Sequence, residues 1–354
     1  MRMQSNVLLA PYTSLAVGGP AEQLYTCTSD DELKNALTQT KDQQVWVLGY
    51  GANVLISDAG LPGSTILLRT STITRDGNTI IADAGVWWDD LVTFAIAEKL
   101  WGLELMSAIP GGVGAAIVGN IAAYGQAVAD TFAWAEVFDH ATGETRRLQP
   151  DELNFSYRYS DFQSDKLAGL IILRVAFALR DEPVKDVEYQ AALDVAQAKQ
   201  YDLTTLAGRR QTILDTRQAA GSLWDYRTPE AYMHTAGSFF RNPMVSEEKA
   251  EELMSYDETG KSAEALKLMN KIHGGAQKRV SAAHVLLAAG FHRGQSWGPV
   301  RLHPDHILKI ENTGGATAQQ IYDAAQEIIN TVQEKLGIEL IPEVRFLGNF
   351  GKEV

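Results

Sequence analysis

Two glycine-rich stretches are the first features of this sequence that suggest ligand chemistry. Residues 49–53 read Gly-Tyr-Gly-Ala-Asn and follow directly on the apolar run VWVL. A glycine loop after a strand lets backbone N–H groups approach a phosphate, because no Cβ blocks the approach. A tight structural turn explains the same residues equally well. The loop matches neither the GxGxxG dinucleotide pattern nor a Walker A loop, since no helix with Lys-Ser/Thr follows it.

The second stretch, residues 109–125, reads IPGGVGAAIVGNIAAYG and is far more specific. Its small residues would let the backbone lie flat against a large planar ligand, to which Asn120 offers a polar group. A glycine-alanine helix contact is the structural alternative. A proline and four glycines within eleven residues disfavour an uninterrupted helix there.

Three further residues are unusual for their surroundings. Ser238 follows Gly237 ahead of a Phe-Phe pair, where capping a turn is the ordinary role. Arg158 lies in NFSYRYSDF, and Glu343 interrupts the otherwise apolar run IPEVRF. Because charges are buried mainly in pairs, a plain salt bridge is the structural alternative for both.

Taken together, these segments resemble the UDP-N-acetylenolpyruvoylglucosamine reductase (MurB) family. That family carries a GxGSN-like pyrophosphate loop and a segment close to IPG-x-VG-x-x-P-x-QNIGAYG under the flavin ring. Further matches follow in order: TSLAVGGPA near the start, YRYSDF at 157–162, AGSFFRNP at 236–243 and IPEVRF at 341–346. The resemblance therefore covers nearly the whole chain.

The resemblance implies a fold class and a reaction. The fold would be α+β, with an FAD-binding fold of the vanillyl-alcohol-oxidase type in two subdomains and a C-terminal α+β substrate domain. We expect these parts at residues 1–70, 71–205 and 206–354, with the final strand returning to the flavin. The reaction would be NADPH-dependent reduction of UDP-N-acetylglucosamine enolpyruvate to UDP-N-acetylmuramate through non-covalently bound FAD, a step of peptidoglycan precursor synthesis.

The resemblance also implies roles for individual residues. Ser238 would donate a proton, and Arg158 and Glu343 would act at the enol carboxylate and enolate oxygen, where Glu343 needs a proton or a bridging water. The residues that would hold FAD are Gly49, Tyr50, Gly51, Ala52, Asn53, Ile109, Pro110, Gly111, Gly114, Asn120, Ala122 and Tyr124. Those that would bind the UDP portion of the substrate are Tyr189, Asn242, Arg293 and His306.

The chain departs from the family pattern at a few positions. Ala52 replaces the usual loop serine, Gly119 the usual glutamine and Ala122 a usual glycine, and residues 219–220 are Ala-Ala where a lysine is common. These departures put some ligand contacts in doubt and leave the reaction class unchanged.

Two other classes of protein make different predictions. An FAD-linked oxidase or dehydrogenase that shares only the FAD-binding half predicts no AGSFFRNP or IPEVRF, and the chain has both. A catalytically silent binding relative predicts the loss of Ser238, Arg158 or Glu343, and all three are present. A metal at residues 303–306 (His-Pro-Asp-His) is not expected, because the proline prevents helical ligand spacing and no cysteine is nearby.

Composition limits the partners and the compartment. The net charge of −13 is spread along 354 residues, so the basic footprint that nucleic acid or an anionic membrane needs is missing. No uninterrupted apolar run approaches the ~18 residues of a membrane span. The single cysteine, Cys27, lies in an apolar strand and fits a reducing compartment. We expect a cytoplasmic monomer that acts on small molecules.

Local patterns predict several secondary-structure elements. Residues 21–27 are typical of a strand, and Ser29 is a capping residue for the helix that follows it. An amphipathic pattern predicts a helix over 88–102 ending at glycine, and residues 133–148 predict a hairpin. Near the end, we expect a long helix over 317–336 and a strand over 338–348.

Overall fold

The computed structural model describes residues 1–41, 43–223, 225, 227, 234–254 and 279–351. The chain forms two compact units, each built from separated segments. The first comprises Met1–Val7, Ala21–Gly51 and Leu61–Trp224, and the second comprises Leu8–Pro20, Ala52–Gly60 and Asp225–Val354. No helix in the described ranges is long and apolar enough to cross a membrane.

The chain contains many short strands and fewer helices. The described strands are β1 (Arg2–Leu8), β2 (Pro20–Cys27), β3 (Val45–Leu48), β4 (Val54–Ile56), β5 (Leu61–Leu68), β6 (Ile73–Asp76), β7 (Thr79–Asp83), β8 (Ala122–Ala123), β9 (Gln126–Ala127), β10 (Phe132–Asp139), β11 (Thr145–Leu148), β12 (Phe155–Ser156), β13 (Tyr159–Ser160), β14 (Leu170–Ala178), β15 (His234–Ser238), β16 (Ser296–Trp297), β17 (Val300–Leu302), β18 (Lys309–Asn312) and β19 (Arg345–Leu347). The described α-helices are α1 (Asp30–Gln39), α2 (Trp88–Ala97), α3 (Val113–Gly119), α4 (Gln190–Lys199), α5 (Leu206–Ala219), α6 (Glu247–Met254), α7 (Ala282–Ala288) and α8 (Ala318–Leu336).

Two sheets form the framework of the first unit. One has the order β1-β2-β5-β3, in which β2, β5 and β3 run parallel. The other has the order β11-β10-β14-β7-β6 with antiparallel neighbours. Apolar side chains of both sheets and of α1–α3 share one hydrophobic core. Burial raises the pKa of the Cys27 thiol to about 11, so this cysteine, buried at the end of β2, stays protonated.

In the second unit, a four-stranded sheet packs against α8. The sheet order is β15-β18-β17-β16, and its core includes residues of α7 and α8. Thr317 caps α8 by accepting a hydrogen bond from the Gln320 N–H, and Gly337 ends the helix in the left-handed region at φ 65°. The segment 52–60 belongs to this unit because β4 pairs in parallel with β19 and Asp58 accepts from the first N–H groups of α8.

Most of the predicted elements are observed, and their differences have physical reasons. Helix α2 ends at Ala97 instead of Gly102, because Lys99 takes the left-handed conformation (φ 60°) and the Leu100 N–H bonds to Ala95 O in a Schellman-type turn. Only Arg345–Leu347 of the predicted final strand forms a regular strand, since Pro342 has no N–H to donate. The disfavoured helix in the second glycine-rich stretch does form over seven residues as α3.

The α+β fold class follows directly from this mixture of sheets and helices. The predicted subdomain limit at residue 205 falls between α4 and α5, both of which lie in the first unit. The three-part division at residues 70 and 205 therefore stays a prediction.

Candidate functional site

Residues 49–51 of the first glycine-rich stretch lie against the second stretch within the first unit. An added Cβ on Gly112 would crowd the Tyr50 ring at 3.3 Å, so a glycine lets the ring pack closely on the second stretch. The Tyr50 ring meets the Trp87 ring edge-on, with 4.8 Å between centroids. Trp87 in turn pairs with Gly112 through an isolated β-bridge. Tyr50, in the middle of the first loop, is thus fixed at the start of the second stretch.

Further hydrogen bonds hold the first loop in its shape. The Tyr50 hydroxyl donates to the Gly85 carbonyl at 3.1 Å. Arg69 donates to the Gly49 carbonyl at 2.7 Å, and its guanidinium lies over the Tyr50 ring at 4.4 Å. An added Cβ on Gly49 would meet no heavy atom within 4 Å, so this part of the loop borders open space.

The last two residues of the loop, Ala52 and Asn53, belong to the second unit and form their hydrogen bonds within it. The Ser14 hydroxyl donates to the Ala52 carbonyl at 3.0 Å. The Asn53 side-chain amide donates to the Glu343 carbonyl at 3.1 Å, and the Asn53 carbonyl accepts from the Arg345 N–H. Ser14 lies in the TSLAVGGPA segment, whose role in shaping the loop had no local signal in the sequence.

These loops fit a flavin dinucleotide. The first loop has open space beside Gly49, as the approach of a phosphate requires. In the second stretch, Gly112 has no side chain and so allows the Tyr50 ring to pack closely on the backbone. On α3, an added Cβ at Gly114 would lie 2.9 Å from the Ala84 Cβ, so this helix can sit against the end of β7 only with glycine there. Asn120 ends α3 in the left-handed region at φ 42°.

Arg158 lies at the tip of a hairpin that is attached to the second stretch. The hairpin joins β12 to β13, and Arg158 takes a left-handed conformation at φ 55° in its turn. The Asn120 side chain donates to the Ser156 carbonyl at 2.8 Å, and the Ser160 hydroxyl donates to the Val118 carbonyl at 2.9 Å. The cofactor candidate Asn120 and the catalytic candidate Arg158 are therefore parts of one connected structure in the first unit.

Ser238 and Glu343 come together in the second unit. Ser238 is the half-buried last residue of β15. The chain just after it runs beside the IPEVRF segment: the Glu343 N–H donates to the Phe239 carbonyl at 2.8 Å, and the Arg241 N–H donates to the Ile341 carbonyl at 2.9 Å. The two motifs that distinguish the resemblance from other flavoproteins are thus hydrogen-bonded neighbours.

The two polar candidates Tyr189 and Asn242 lie in different units. Tyr189 precedes α4 in the first unit, and its ring meets that of the cofactor candidate Tyr124 edge-on at 5.3 Å between centroids. Asn242 lies in the second unit, where its side-chain oxygen accepts from the Ala282 N–H at the start of α7 at 2.9 Å. This bond orients the side-chain NH₂ of Asn242 away from the helix.

Arg293 and His306 are electrostatic neighbours in the second unit. Burial, followed by the positive charge of Lys309, lowers the pKa of His306 to about 4, and His303 and Arg293 act in the same direction. The buried Nδ1 atom of His306 has no hydrogen-bond partner among the described residues. His306 is therefore neutral at pH 7 and can offer a ligand a hydrogen bond and no charge. Arg293 is exposed.

One anchor of the site lay outside the sequence predictions. The Ala108 N–H, next to the second stretch, donates to the Asp89 carboxylate at 2.6 Å. Arg210 of α5 holds the same carboxylate through two hydrogen bonds of 2.8 and 2.7 Å. Asp89 and Arg210 are 121 positions apart, so no local pattern could have indicated their pairing.

Two family models match separate parts of the chain. A family model described as an FAD binding domain matches residues 21–149. A second model, the C-terminal domain of UDP-N-acetylenolpyruvoylglucosamine reductase, matches residues 228–347.

Whole-length relatives carry the same description. UDP-N-acetylenolpyruvoylglucosamine reductase of Streptomyces avermitilis is 33% identical over 95% of this chain and 92% of its own length. The protein of that name from Thermobifida fusca is 33% identical over 97% of both chains. A crystal structure of UDP-N-acetylenolpyruvylglucosamine reductase (MurB) from Thermus caldophilus aligns over 98% of this chain and 100% of its own, with a TM-score of 0.66 and 26% identity.

These findings confirm the resemblance and the predicted fold class of an α+β protein with an FAD-binding domain. The matches extend over both units, so neither the FAD-binding half alone nor an unrelated oxidase explains them. The chain belongs to the UDP-N-acetylenolpyruvoylglucosamine reductase family.

Proposed function

We propose that this chain reduces UDP-N-acetylglucosamine enolpyruvate to UDP-N-acetylmuramate with NADPH, as an FAD-dependent enzyme of peptidoglycan precursor synthesis. The observation that carries the proposal is the pairing of the Ser238 strand end with the Glu343 segment, in a chain that matches reductases along its whole length. A protein that only bound a flavin would have no need of these two motifs. The enzyme acts as a cytoplasmic monomer on small-molecule ligands.

The two glycine-rich stretches are the cofactor site of this proposal. FAD, bound there without a covalent link, supplies hydride transfer from NADPH to C3 of the enolpyruvyl group. The chain's contribution is to keep the loops close together: Tyr50 packs on Gly112, and Arg69 binds the Gly49 carbonyl. Ala52 has no hydroxyl, so its backbone, oriented by Ser14, takes the place of a side-chain contact.

Ser238 is the proton donor at C2 of the substrate. As hydride reaches C3, negative charge develops on the enolate and is lost when C2 takes a proton. The position of Ser238 at a strand end, half-buried and next to the Glu343 segment, supports this role. Glu343 assists at the enolate oxygen, where a donor aimed at developing charge lowers the barrier.

Arg158 binds the carboxylate of the enolpyruvyl group. A guanidinium matches a planar carboxylate with two parallel hydrogen bonds, which also fixes the orientation of the group. The left-handed turn residue of a short hairpin is a strained position, and such positions are frequent at functional sites. The attachment of this hairpin to Asn120 links carboxylate binding to the FAD loop.

The UDP portion contacts Tyr189, Asn242, Arg293 and His306. The Asn242 NH₂, oriented by the Ala282 hydrogen bond, donates to a phosphate oxygen. Arg293 supplies the positive charge. His306, which is neutral, adds a hydrogen bond.

Anaerobic rapid mixing tests the proposal. The visible absorbance of purified protein should bleach with NADPH and return when the enolpyruvyl sugar nucleotide is added, with UDP-N-acetylmuramate detected by mass spectrometry. UDP-N-acetylglucosamine, which lacks the enolpyruvyl group, is the matched control and should leave the flavin reduced. Reoxidation by the control at the same rate, or no return of absorbance with the substrate, would contradict the assignment.

A further inference from the structure

Strand β18 carries an unusual charged face beside the proposed proton donor. Ile310 of this strand is fully buried in the core and lies opposite Leu302 of β17. Lys309 and Glu311 alternate with it and therefore lie on the other face of the sheet. Both are nevertheless buried, with 3% and 6% of their surface exposed. Two charged residues on one strand are thus withdrawn from solvent without belonging to the hydrophobic core.

Lys309 is the direct cross-strand partner of Ser238. The antiparallel register of β15 and β18 places these two residues opposite each other. Directly opposed side chains share one face of the sheet, with Cβ atoms about 4.5–5.5 Å apart. The register shifts between Thr235 and Ser238, where Gly237 has φ 78°, and such an irregularity re-aims the side chain that follows it. The next residue, Phe239, is fully buried in the core, which places Ser238 on the charged face.

Lys309 lies directly opposite Ser238 in register, and the described charged or titratable groups near it include Glu311, His303 and His306. Glu311, two residues along, is paired with Arg301 at 2.6 Å. His303 and His306 precede the strand, and burial together with the Lys309 charge lowers the pKa of both. Both imidazoles are therefore neutral at pH 7, and Lys309 is the charged group with the largest effect on each of them.

We propose that Lys309 is a positioning residue that orients the Ser238 hydroxyl and stabilises the charge left on it, an inference that rests on the proposed function. In the step concerned, the Ser238 O–H bond breaks and its proton forms the new C–H bond with the electron pair at C2. The electron pair of the broken O–H bond stays on the serine oxygen, which becomes an alkoxide. A proton from solvent later restores the hydroxyl. A serine alone is a weak acid, and an adjacent ammonium in a water-poor environment favours the alkoxide.

The test measures each half-reaction of flavin-loaded variants by rapid mixing. In Lys309→Met, which keeps the length of the side chain and removes its charge, reoxidation of the flavin by the enolpyruvyl sugar nucleotide should slow about 100-fold. Reduction by NADPH and the Michaelis constant for the sugar nucleotide should stay within about 2-fold of the parent. Lys309→Arg should recover most of the rate. Glu311→Gln, which removes a charge of similar burial on the same face, is the matched control and should leave reoxidation unchanged.

A double-mutant cycle separates action through Ser238 from direct action on the ligand. In a Ser238→Ala background, Lys309→Met should slow flavin reoxidation by less than a further ~2-fold, because the hydroxyl on which the lysine acts is absent. The same 100-fold loss in both backgrounds, a raised Michaelis constant, or equal slowing with NADPH would overturn the proposal. If Lys309→Met does not retain FAD, Lys309→Gln serves in the same cycle. Failure of the proposed function is a separate result: the parent flavin would then not be reoxidised by the enolpyruvyl sugar nucleotide.

Discussion

The ion pair of Asp89 and Arg210 gives a prediction whose size follows from the structure. Arg210 binds the carboxylate through two short hydrogen bonds, and the carboxylate also accepts from the Ala108 N–H beside the second glycine-rich stretch. Both side chains are 21% exposed. Charge-assisted hydrogen bonds contribute about 1.5–3 kcal/mol each before screening, and losing one partner leaves a partly buried charge. We expect Asp89→Ala to lower the free energy of unfolding by about 2–3 kcal/mol.

The same substitution should weaken FAD binding, because it releases the backbone that leads into Ile109. If about 1.4 kcal/mol of ordering is lost from the loop, the dissociation constant of FAD rises about 10-fold. Calorimetric titration of the flavin-free protein with FAD measures this change in the dissociation constant. Thermal unfolding in the absence of FAD measures the stability term separately.

Arg75→Met is the control for this prediction. The Arg75–Glu98 pair lies in the same unit with a similar distance of 2.7 Å, but its side chains are 35% and 38% exposed. An exposed pair contributes less than about 1 kcal/mol, and the hydrogen bonds described for Arg75 go to Gly77 and Glu98 and not to the glycine-rich stretches. The reasoning is refuted if Asp89→Ala binds FAD as tightly as the parent, or if Arg75→Met weakens FAD binding equally.

The pH dependence of the Asp89 pair has a definite sign. Burial acts to raise the pKa of Asp89, but hydrogen bonds from Arg210 and the Ala108 N–H, with the charges of Arg210 and Arg217, outweigh it and hold the pKa below its usual 3.8. Since the folded-state pKa is lowered, the stabilisation is complete above about pH 4 and is lost as the pH falls through the lowered value. Asp89→Asn should therefore show a shallower acid-side loss of stability than the parent, measured by unfolding between about pH 2 and 5.

Three further predictions concern the proposed ligands. Gly111→Asp should release FAD while the circular dichroism spectrum stays that of a folded protein, since Gly111 has φ 132° and the new carboxylate would enter the cofactor loop; retention of stoichiometric FAD would contradict the loop assignment. Alanine variants of Tyr189, Asn242 and Arg293 should raise the Michaelis constant for the sugar nucleotide more than they lower the turnover number, as lost uniform binding does; unchanged constants in all three would mean a different UDP pocket. Ser238→Ala should be reduced by NADPH at the parent rate but reoxidised ~100–10,000-fold more slowly by the substrate; equal slowing of both halves would show that Ser238 only shapes the pocket.

Local sequence patterns predicted the elements whose signals are short-range. The Ser29 cap, the Thr317 cap and the Gly337 end of α8 are all observed where polar and glycine residues indicated them. The predicted end of α2 was wrong because Lys99, and not a glycine, adopts the left-handed conformation. Nothing in the residue types identifies such a lysine in advance.

The candidate site could be predicted only as far as its motifs. The glycine-rich stretches, Ser238 and Glu343 are marked by composition and by the family resemblance. Their supports are distant in sequence: Ser14 on Ala52, and Arg210 on Asp89. A hydrogen bond between such residues depends on how the whole chain folds, so single-sequence patterns contain no signal for it. The individual ligand and catalytic roles stay predictions.

The pairing of β4 with β19 has a consequence for the order in which the protein can fold during synthesis. Val54–Ile56 is synthesised well before its partner, Arg345–Leu347. Until then the Asn53 amide also lacks its acceptor, the Glu343 carbonyl, 290 positions downstream. Contacts of such long sequence separation form late and slowly. The loop that we propose to receive the FAD phosphates therefore reaches its final form only after the segment around residue 343 has been made, so a nascent chain or one shortened before residue 343 should not retain the flavin.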